Sequence, residues 1–326
     1  MRGAALTALR DPFIRLLARG RPDPGLDRQV AGVLELQRLM RLPALDSMAP
    51  AKARRFAEAG LSPLDVPSAT MAELIDTSIA GPAGPIPLRI YVPFRAGPHW
   101  IVYLHGGGGV IGSIRGSEPV TRLLAAQTGC TVASVDYRLG PEDRHPAAIE
   151  DACAAWKAVV ARIPRSGKAV VAGDSFGGFL SAHVDHHART TGARRPDLQV
   201  LIYPMVDLTR RSPTVEQFAD GYLLTKSMIE WFTSNYLHAT DDPKAASPAF
   251  WENLAGAAPA VVATAGFDPL VGEGDSHADR LRRAGTLVRH HRYPSLIHGF
   301  LSLAGGVTAA RAAVDELCAD IIELVA

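Results

Sequence analysis

The stretch Ala169-Val170-Val171-Ala172-Gly173-Asp174-Ser175-Phe176-Gly177 decides the fold of this chain. Its four leading apolar residues suit a buried strand, and residues 178–188 beyond it carry a helical pattern. A G-x-S-x-G set between strand and helix forces its serine onto a tight, strained turn, with the hydroxyl clear of the sheet. Gly173 and Gly177 leave room for strand and helix to approach each other. With 30 glycines in 326 residues such a pentad could arise by chance. The strand before it and the helix after it argue against that.

A second site upstream asks for the same chemistry. Trp100-Ile101-Val102-Tyr103-Leu104 has the composition of a buried strand and runs into His105-Gly106-Gly107-Gly108-Gly109. A serine attacking an acyl carbon creates a negative tetrahedral oxygen. Successive glycines turn backbone N–H groups toward one point with no side chain in the way. Each such donor is worth about 2.7–4 kcal/mol of transition-state stabilisation. A flexible loop and a phosphate cradle are the alternatives. No Gly-Lys-Ser/Thr follows, which excludes a Walker loop, and the leading histidine weakens a dinucleotide-binding reading.

With both motifs in view, the chain resembles the α/β-hydrolase fold and, more narrowly, the bacterial hormone-sensitive-lipase-like esterases (lipolytic family IV). His105 to Gly112 looks like that family's H-G-G-G-x-x-x-G. Asp136-Tyr-Arg-Leu-Gly-Pro-Glu142 and His145-Pro-Ala-Ala-Ile-Glu-Asp151 look like its next conserved segments. Leu201-Ile-Tyr-Pro204, Gly266-Phe-Asp-Pro-Leu270 and Ile297-His-Gly-Phe300 follow in the family's order. The resemblance covers about residue 23 to the C-terminus.

It implies Ser175 as nucleophile, Asp268 as acid and His298 as base, in the α/β-hydrolase order. It further implies an oxyanion hole from the amides of Gly107, Gly108 and Phe176, with His105 bracing the glycine loop. Gly106, Asp174 and Glu273 are expected to support the site. Phe176, Tyr203, Tyr222 and Phe300 are expected to line the substrate pocket. A serine hydroxyl attacks once a neutral imidazole accepts its proton, and a carboxylate holds that imidazole's tautomer. The rate should therefore fall on the acid side as the base is protonated.

The chain departs from the family pattern at two places. Phe176 stands where alanine is usual, so its ring is expected to fill part of the pocket and favour short acyl chains. After Asp268-Pro-Leu270 the family commonly has Arg-Asp-Glu-Gly, whereas here Val271-Gly272-Glu273-Gly274 follows. Two charges near the acid are missing, so Asp268 is expected to be held less firmly. Glu273 is the fallback acid, since triads accept Asp or Glu.

Composition narrows the class. A 47% hydrophobic chain of this length supports a large core, and 34 basic against 33 acidic residues point to no nucleic-acid partner. Cys130, Cys153 and Cys318 are scattered in apolar contexts, which suits free thiols in a reducing compartment. No run approaches the about 18 apolar residues of a membrane span. Residues 1–20 carry arginines but neither an apolar core segment nor a small-residue cleavage site. A cytoplasmic location is expected. His183, His186 and His187 lack the acid of H-E-x-x-H and are expected to pack or face solvent. The pair His290-His291 alternates faces on a strand. Neither a metal nor a cofactor is expected.

Apolar residues recur at helical spacing from Leu26 to Leu42, and a second amphipathic piece runs to about Gly60. Strands at 74–75 and 86–92 flank a turn at 81–85. From Trp100 strands alternate with helices at 119–128, 147–162 and 178–188, which predicts a mostly parallel sheet flanked by helices. Residues 207–240 interrupt that alternation and match the family's cap insertion. The expected organisation is an N-terminal extension and cap helices over 1–60, a catalytic domain over 70–206 and 241–326, and a cap insertion over 207–240.

The resulting expectation is a serine carboxylesterase acting on short- to medium-chain carboxylic esters through an acyl-serine, with no partner but its small-molecule ester. Family members often pair through an edge strand, which implies a homodimer. An amide, N-formyl or O-acetyl hydrolase of the same fold is the alternative. An inactive small-molecule binder, like the plant gibberellin receptor that lacks the histidine, is less favoured because all three triad members are present.

Overall fold

The computed structural model describes residues 23–60 and 64–326. The expectation for the segment before residue 23 lies outside the described residues. Eight strands form one sheet: β1 (Glu73–Gly81), β2 (Gly84–Val92), β3 (Trp100–Leu104), β4 (Thr131–Val135), β5 (Ala169–Asp174), β6 (Leu198–Ile202), β7 (Ala260–Phe267) and β8 (Val288–Ile297). Their order is β1-β2-β4-β3-β5-β6-β7-β8. Only β2 runs antiparallel to its neighbours, pairing β1 and β4; the remaining pairs are parallel. An antiparallel start feeding a parallel sheet is what the alternation predicted.

Successive side chains of a strand face opposite ways, and both faces here are covered. Ile101 and Tyr103 of β3 join a core with Val170, Val200 and Val261. Helices α1 (Arg28–Met40), α3 (Ile114–Thr128) and α9 (Thr308–Val325) pack on that core. Val102 and Leu104 join the opposite core with Val171 and the helices α4 (Ala147–Val160) and α5 (Phe176–Thr191). Each aliphatic side chain so buried contributes about 1.5–3 kcal/mol. Two-sided burial explains why β3 and the first four residues of β5 are continuous apolar runs rather than alternating ones.

Three boundaries differ from the sequence expectation, each for a local reason. Helix α3 starts five residues before Pro119, because Ser113 caps it and accepts the Gly116 N–H at 3.1 Å. Strand β8, expected around residues 287–289, runs for ten residues, held along β7 as far as Ile297 opposite Phe267. The β1–β2 ladder continues to Gly81 opposite Gly84, leaving only Pro82 and Ala83 as the turn.

Between β6 and β7 lie two helices, α6 (Pro213–Gln217) and α7 (Lys226–Tyr236). α7 packs near the short 3-10 turn Leu45–Ser47, which joins α1 to α2 (Pro50–Gly60). Residues of α7 and of the Leu45–Ser47 turn line one cavity with Ser175 and His298, which follow the C-terminal ends of β5 and β8. Open α/β sheets carry their ligand crevices at this end.

Candidate active site

Ser175 follows β5, a central strand, and its backbone lies at φ 54°, ψ −116°. L-residues rarely adopt positive φ, and such strain persists only where the surroundings enforce it. Here the Ser175 N–H donates to Ile202 O at 2.8 Å, and its carbonyl accepts from Gly178 and Met205. A Cβ on Gly173 would strike the Gly177 backbone, and one on Gly177 would strike the Leu104 carbonyl. Both glycines are therefore required. The hydroxyl does not cap α5, which leaves it free for another partner.

That partner is His298, in the turn straight after β8. Its Nε2 lies 3.0 Å from Ser175 Oγ, and its Nδ1 lies 2.8 Å from Asp268 Oδ2. A carboxylate only accepts, so Nδ1 carries the proton and Nε2 is left to accept from the serine. Asp268, in the turn after β7, is fully buried, and its Oδ1 takes the Leu270 N–H at 2.8 Å. Serine and histidine are 7% and 8% exposed, enough to be reached from a cavity of about 590 Å³ above them. The three residues lie far apart in the chain, and the sheet gathers them at one end.

The glycine loop follows β3 on the adjacent side of Ser175. Gly107 and Gly108 have φ of 121° and 61°. Their amides make no hydrogen bond to another described residue, and both line the cavity with Ser175. Gly108 has no room for a side chain, because a Cβ would run into Phe232 of α7. The Phe176 amide opens α5, one of the helix N-terminal N–H groups that lack an intrahelical acceptor.

Beneath this loop lies a polar brace. Asp174 Oδ1 accepts the Gly106 N–H at 2.9 Å and the Tyr103 hydroxyl at 2.7 Å. Burial raises the Asp174 pKa, opposed by the hydrogen bond from Tyr103. His105 Nδ1 faces Gly106 O at 2.8 Å, and its ring stacks on Tyr137 with centroids 4.3 Å apart. Burial lowers the His105 pKa, which favours a neutral, structural imidazole. Tyr103 and Tyr137 received no role from the sequence. Tyr103 meets Asp174 across 71 residues of chain, a distance no local pattern reveals.

Several expected positions are corrected. Phe176 does not line the pocket. Its side chain is fully buried against Phe179 and Tyr236, with centroids 4.9 and 4.8 Å away, because the elbow aims only the serine into the cavity. Phe300 lies beneath Tyr203 and beside Tyr293, and Tyr222 turns toward Phe267; neither reaches the cavity. Tyr203 does line it, with its ring 4.7 Å from the His298 ring. Glu273 is not the alternative acid. Its Oε1 accepts the N–H groups of Val206 and Asp207 at 2.7 and 3.1 Å, away from His298. Burial pushes its carboxyl well above the usual range.

Four of the other histidines are occupied elsewhere. His183 and His186 sit against the Trp251 ring, and His290 and His291 face Asp275 and Asp320 respectively. Among the described residues, no group of three or more His, Cys, Asp or Glu is placed to hold a metal.

A strained serine, an imidazole and a carboxylate in line, facing unpaired loop amides at the strand ends, define a serine-hydrolase site on an α/β-hydrolase fold. The chain belongs to that family: a model described as alpha/beta hydrolase fold matches residues 101–302. Carboxylic ester hydrolase LipN of Mycobacterium tuberculosis is 44% identical over 256 residues, covering 73% of this chain and 67% of LipN. Ethyl acetate hydrolase of Pseudomonas putida is 34% identical over 240 residues, covering 69% of this chain and 74% of that one. Among solved structures, an ester hydrolase from the metagenome of Lake Arreo, complexed with a bipyridine phosphonate derivative, superposes with TM-score 0.88 at 34% identity. It covers 91% of this chain and 98% of that chain. The resemblance to hormone-sensitive-lipase-like esterases is upheld.

Proposed function

We propose that the chain is a serine carboxylesterase in which Ser175, His298 and Asp268 act as nucleophile, base and acid. The observation that carries this reading is the unbroken line from Ser175 Oγ through His298 to Asp268, at 3.0 and 2.8 Å. Ser175 Oγ attacks the ester carbonyl while its proton passes to His298 Nε2. The carbonyl oxygen becomes an oxyanion facing the amides of Gly107, Gly108 and Phe176. The carbon–oxygen bond to the alcohol then breaks, and the imidazolium protonates the leaving alkoxide. Water, deprotonated by the same nitrogen, releases the acid and regenerates the serine.

The reading takes a 207–240 cap insertion and the N-terminal helices as the roof of the site. Its support is that Leu34 and Met40 of α1, and Leu224 and Phe232 of the insertion, line one cavity with Ser175. That cavity lies in the range of small-molecule sites and is lined largely by apolar side chains. It suits esters with apolar acyl groups of short to medium length. Amides, N-formyl and O-acetyl groups would use the same loop amides, but the relatives named above favour esters.

No helix among the described residues is long and apolar enough to cross a membrane. A cytoplasmic location is proposed from the unpaired Cys130, Cys153 and Cys318. A homodimer through β8 is proposed because β8 is a long strand at the sheet edge.

The test is pre-steady-state release of p-nitrophenol from p-nitrophenyl acetate. A burst equal to enzyme concentration is expected for the wild type and none for Ser175→Ala. Equal release by the two proteins would remove the assignment.

A further inference from the structure

We propose that Thr214 is a positioning residue for the triad. Its hydroxyl ties the root of the insertion to the loop that carries Asp268, and so holds the carboxylate on His298. The proposal rests on the esterase reading above and goes beyond it, by naming a residue that touches neither substrate nor triad.

The Asp268 carboxylate has few contacts of its own. Its Oδ2 meets His298, and its Oδ1 takes one N–H, from Leu270. Where it points therefore depends on the backbone of residues 268–272, the turn that enters helix α8 (Val271–Arg283). That turn carries no charged side chain between Asp268 and Glu273. Instead it is gripped by the insertion root. Thr214 Oγ1 donates to the Pro269 carbonyl at 2.7 Å and accepts the Gly272 N–H at 3.2 Å.

A hydroxyl has one proton to give. Since Thr214 spends its proton on Pro269, the 2.8 Å contact with Ser212 must have Ser212 as donor. The Thr214 oxygen is thus fully used, bridging residues one and four positions beyond Asp268. Glycine at 272 is what admits this bridge. A Cβ there would lie 2.5 Å from Ser212 Oγ and 3.0 Å from Thr214 Oγ1. On the next residue Glu273 reaches back to the N–H groups of Val206 and Asp207. The acid turn is therefore clamped from two places at the start of the insertion, and the insertion's later residues line the cavity. Hydroxyls from across the fold stand where the charges at 271 and 272 are missing, and by this proposal they hold the Asp268 turn in their place.

Thr214→Val removes the hydroxyl at nearly constant volume, and Thr214→Ser keeps it. Rates are normalised to the burst amplitude, so that loss of folded enzyme does not count. In Thr214→Val kcat is expected to fall about tenfold, the equivalent of the two bonds lost to the acid turn, with KM within about twofold. Loosening Asp268 also weakens the charge that favours the protonated imidazole. The acid limb of kcat/KM should therefore move to lower pH, by about half a unit or more. Thr214→Ser should restore both values to within about twofold of the wild type.

A hydroxyl that merely stabilised the fold would lower the melting temperature and leave the acid limb in place. Wild-type kcat and pH profile in Thr214→Val, or an equal loss in Thr214→Ser, overturn the proposal. Should Thr214→Val fail to fold, Gly272→Ala displaces the same hydroxyls from the other side; the same fall and shift are expected, and wild-type values overturn the proposal. A wild type without a burst sinks the esterase reading and this proposal together. An active wild type with an indifferent Thr214→Val sinks this proposal alone.

Discussion

Replacing Phe176 with alanine separates two roles that the chain order alone confuses. If the benzyl ring lined the acyl pocket, its removal would open space and favour longer acyl chains. The ring is fully buried, stacks on Phe179 and meets Tyr236 edge-on, with Tyr137 6.3 Å away, and it lies directly under Gly109. Deleting a buried phenylalanine costs about 3–5 kcal/mol in lost transfer energy and cavity formation. At about 2.1 cal/mol/K of unfolding entropy per residue, a chain of this length loses about 4–7 °C of melting temperature for that cost. The overall rate should also fall, since the glycine loop loses its floor.

Chain-length selectivity should hold, because the deleted ring is not part of the cavity lining. The assay is a thermal melt followed by kcat/KM on p-nitrophenyl butyrate, octanoate and laurate. The ratio of laurate to butyrate is expected within about twofold of the wild type. A tenfold rise in that ratio with an unchanged melting temperature would refute the argument and return Phe176 to the pocket.

Asp268→Asn leaves His298 without a carboxylate and should cost about 10³–10⁴ in kcat, as loss of tautomer control does in such triads. Glu273→Gln keeps an acceptor for the Val206 and Asp207 amides and removes no needed charge, since burial already favours the protonated acid. It should retain activity within about threefold; equal losses in the two variants would mean that the acid is misassigned. Burial also lowers the pKa of His183 to about 3 and of His277 to about 4. An unfolded histidine takes up its proton near pH 6.5, so stability is complete above about 6.5 and falls as pH drops toward those values. The expected slope is on the order of 1 kcal/mol per pH unit for each histidine. Guanidinium midpoints at pH 7.5 and 5 measure it, and His277→Gln should make the fall shallower. A midpoint that does not change with pH would contradict the burial argument.

Residues carrying a covalent or steric constraint were legible in the chain. Gly173 and Gly177 must be glycine wherever a serine sits on so sharp a turn, and the His105 loop must lack side chains wherever amides face an oxyanion. The apolar runs at 100–104 and 169–172 announced buried strands. Side-chain direction was less legible. Phe176, Tyr222 and Phe300 neighbour positions that do face the cavity, yet each ring turns to other aromatic rings, among them Tyr236, Phe267 and Tyr293, that lie far off in the chain or on another strand. The bonds from Tyr103 to Asp174 and from Thr214 to Pro269 span 71 and 55 residues, so no periodicity could reveal them.

The amino-acid order by itself determined that a strand–serine–helix elbow and a glycine loop would each stand at the end of a buried strand, because backbone sterics and strand burial are local properties. It also set the Ser, Asp, His succession. Only the tertiary structure decided which rings floor the loop, which line the cavity, and what steadies the acid turn. Those outcomes depend on packing and hydrogen bonds between segments that meet only after the sheet has formed.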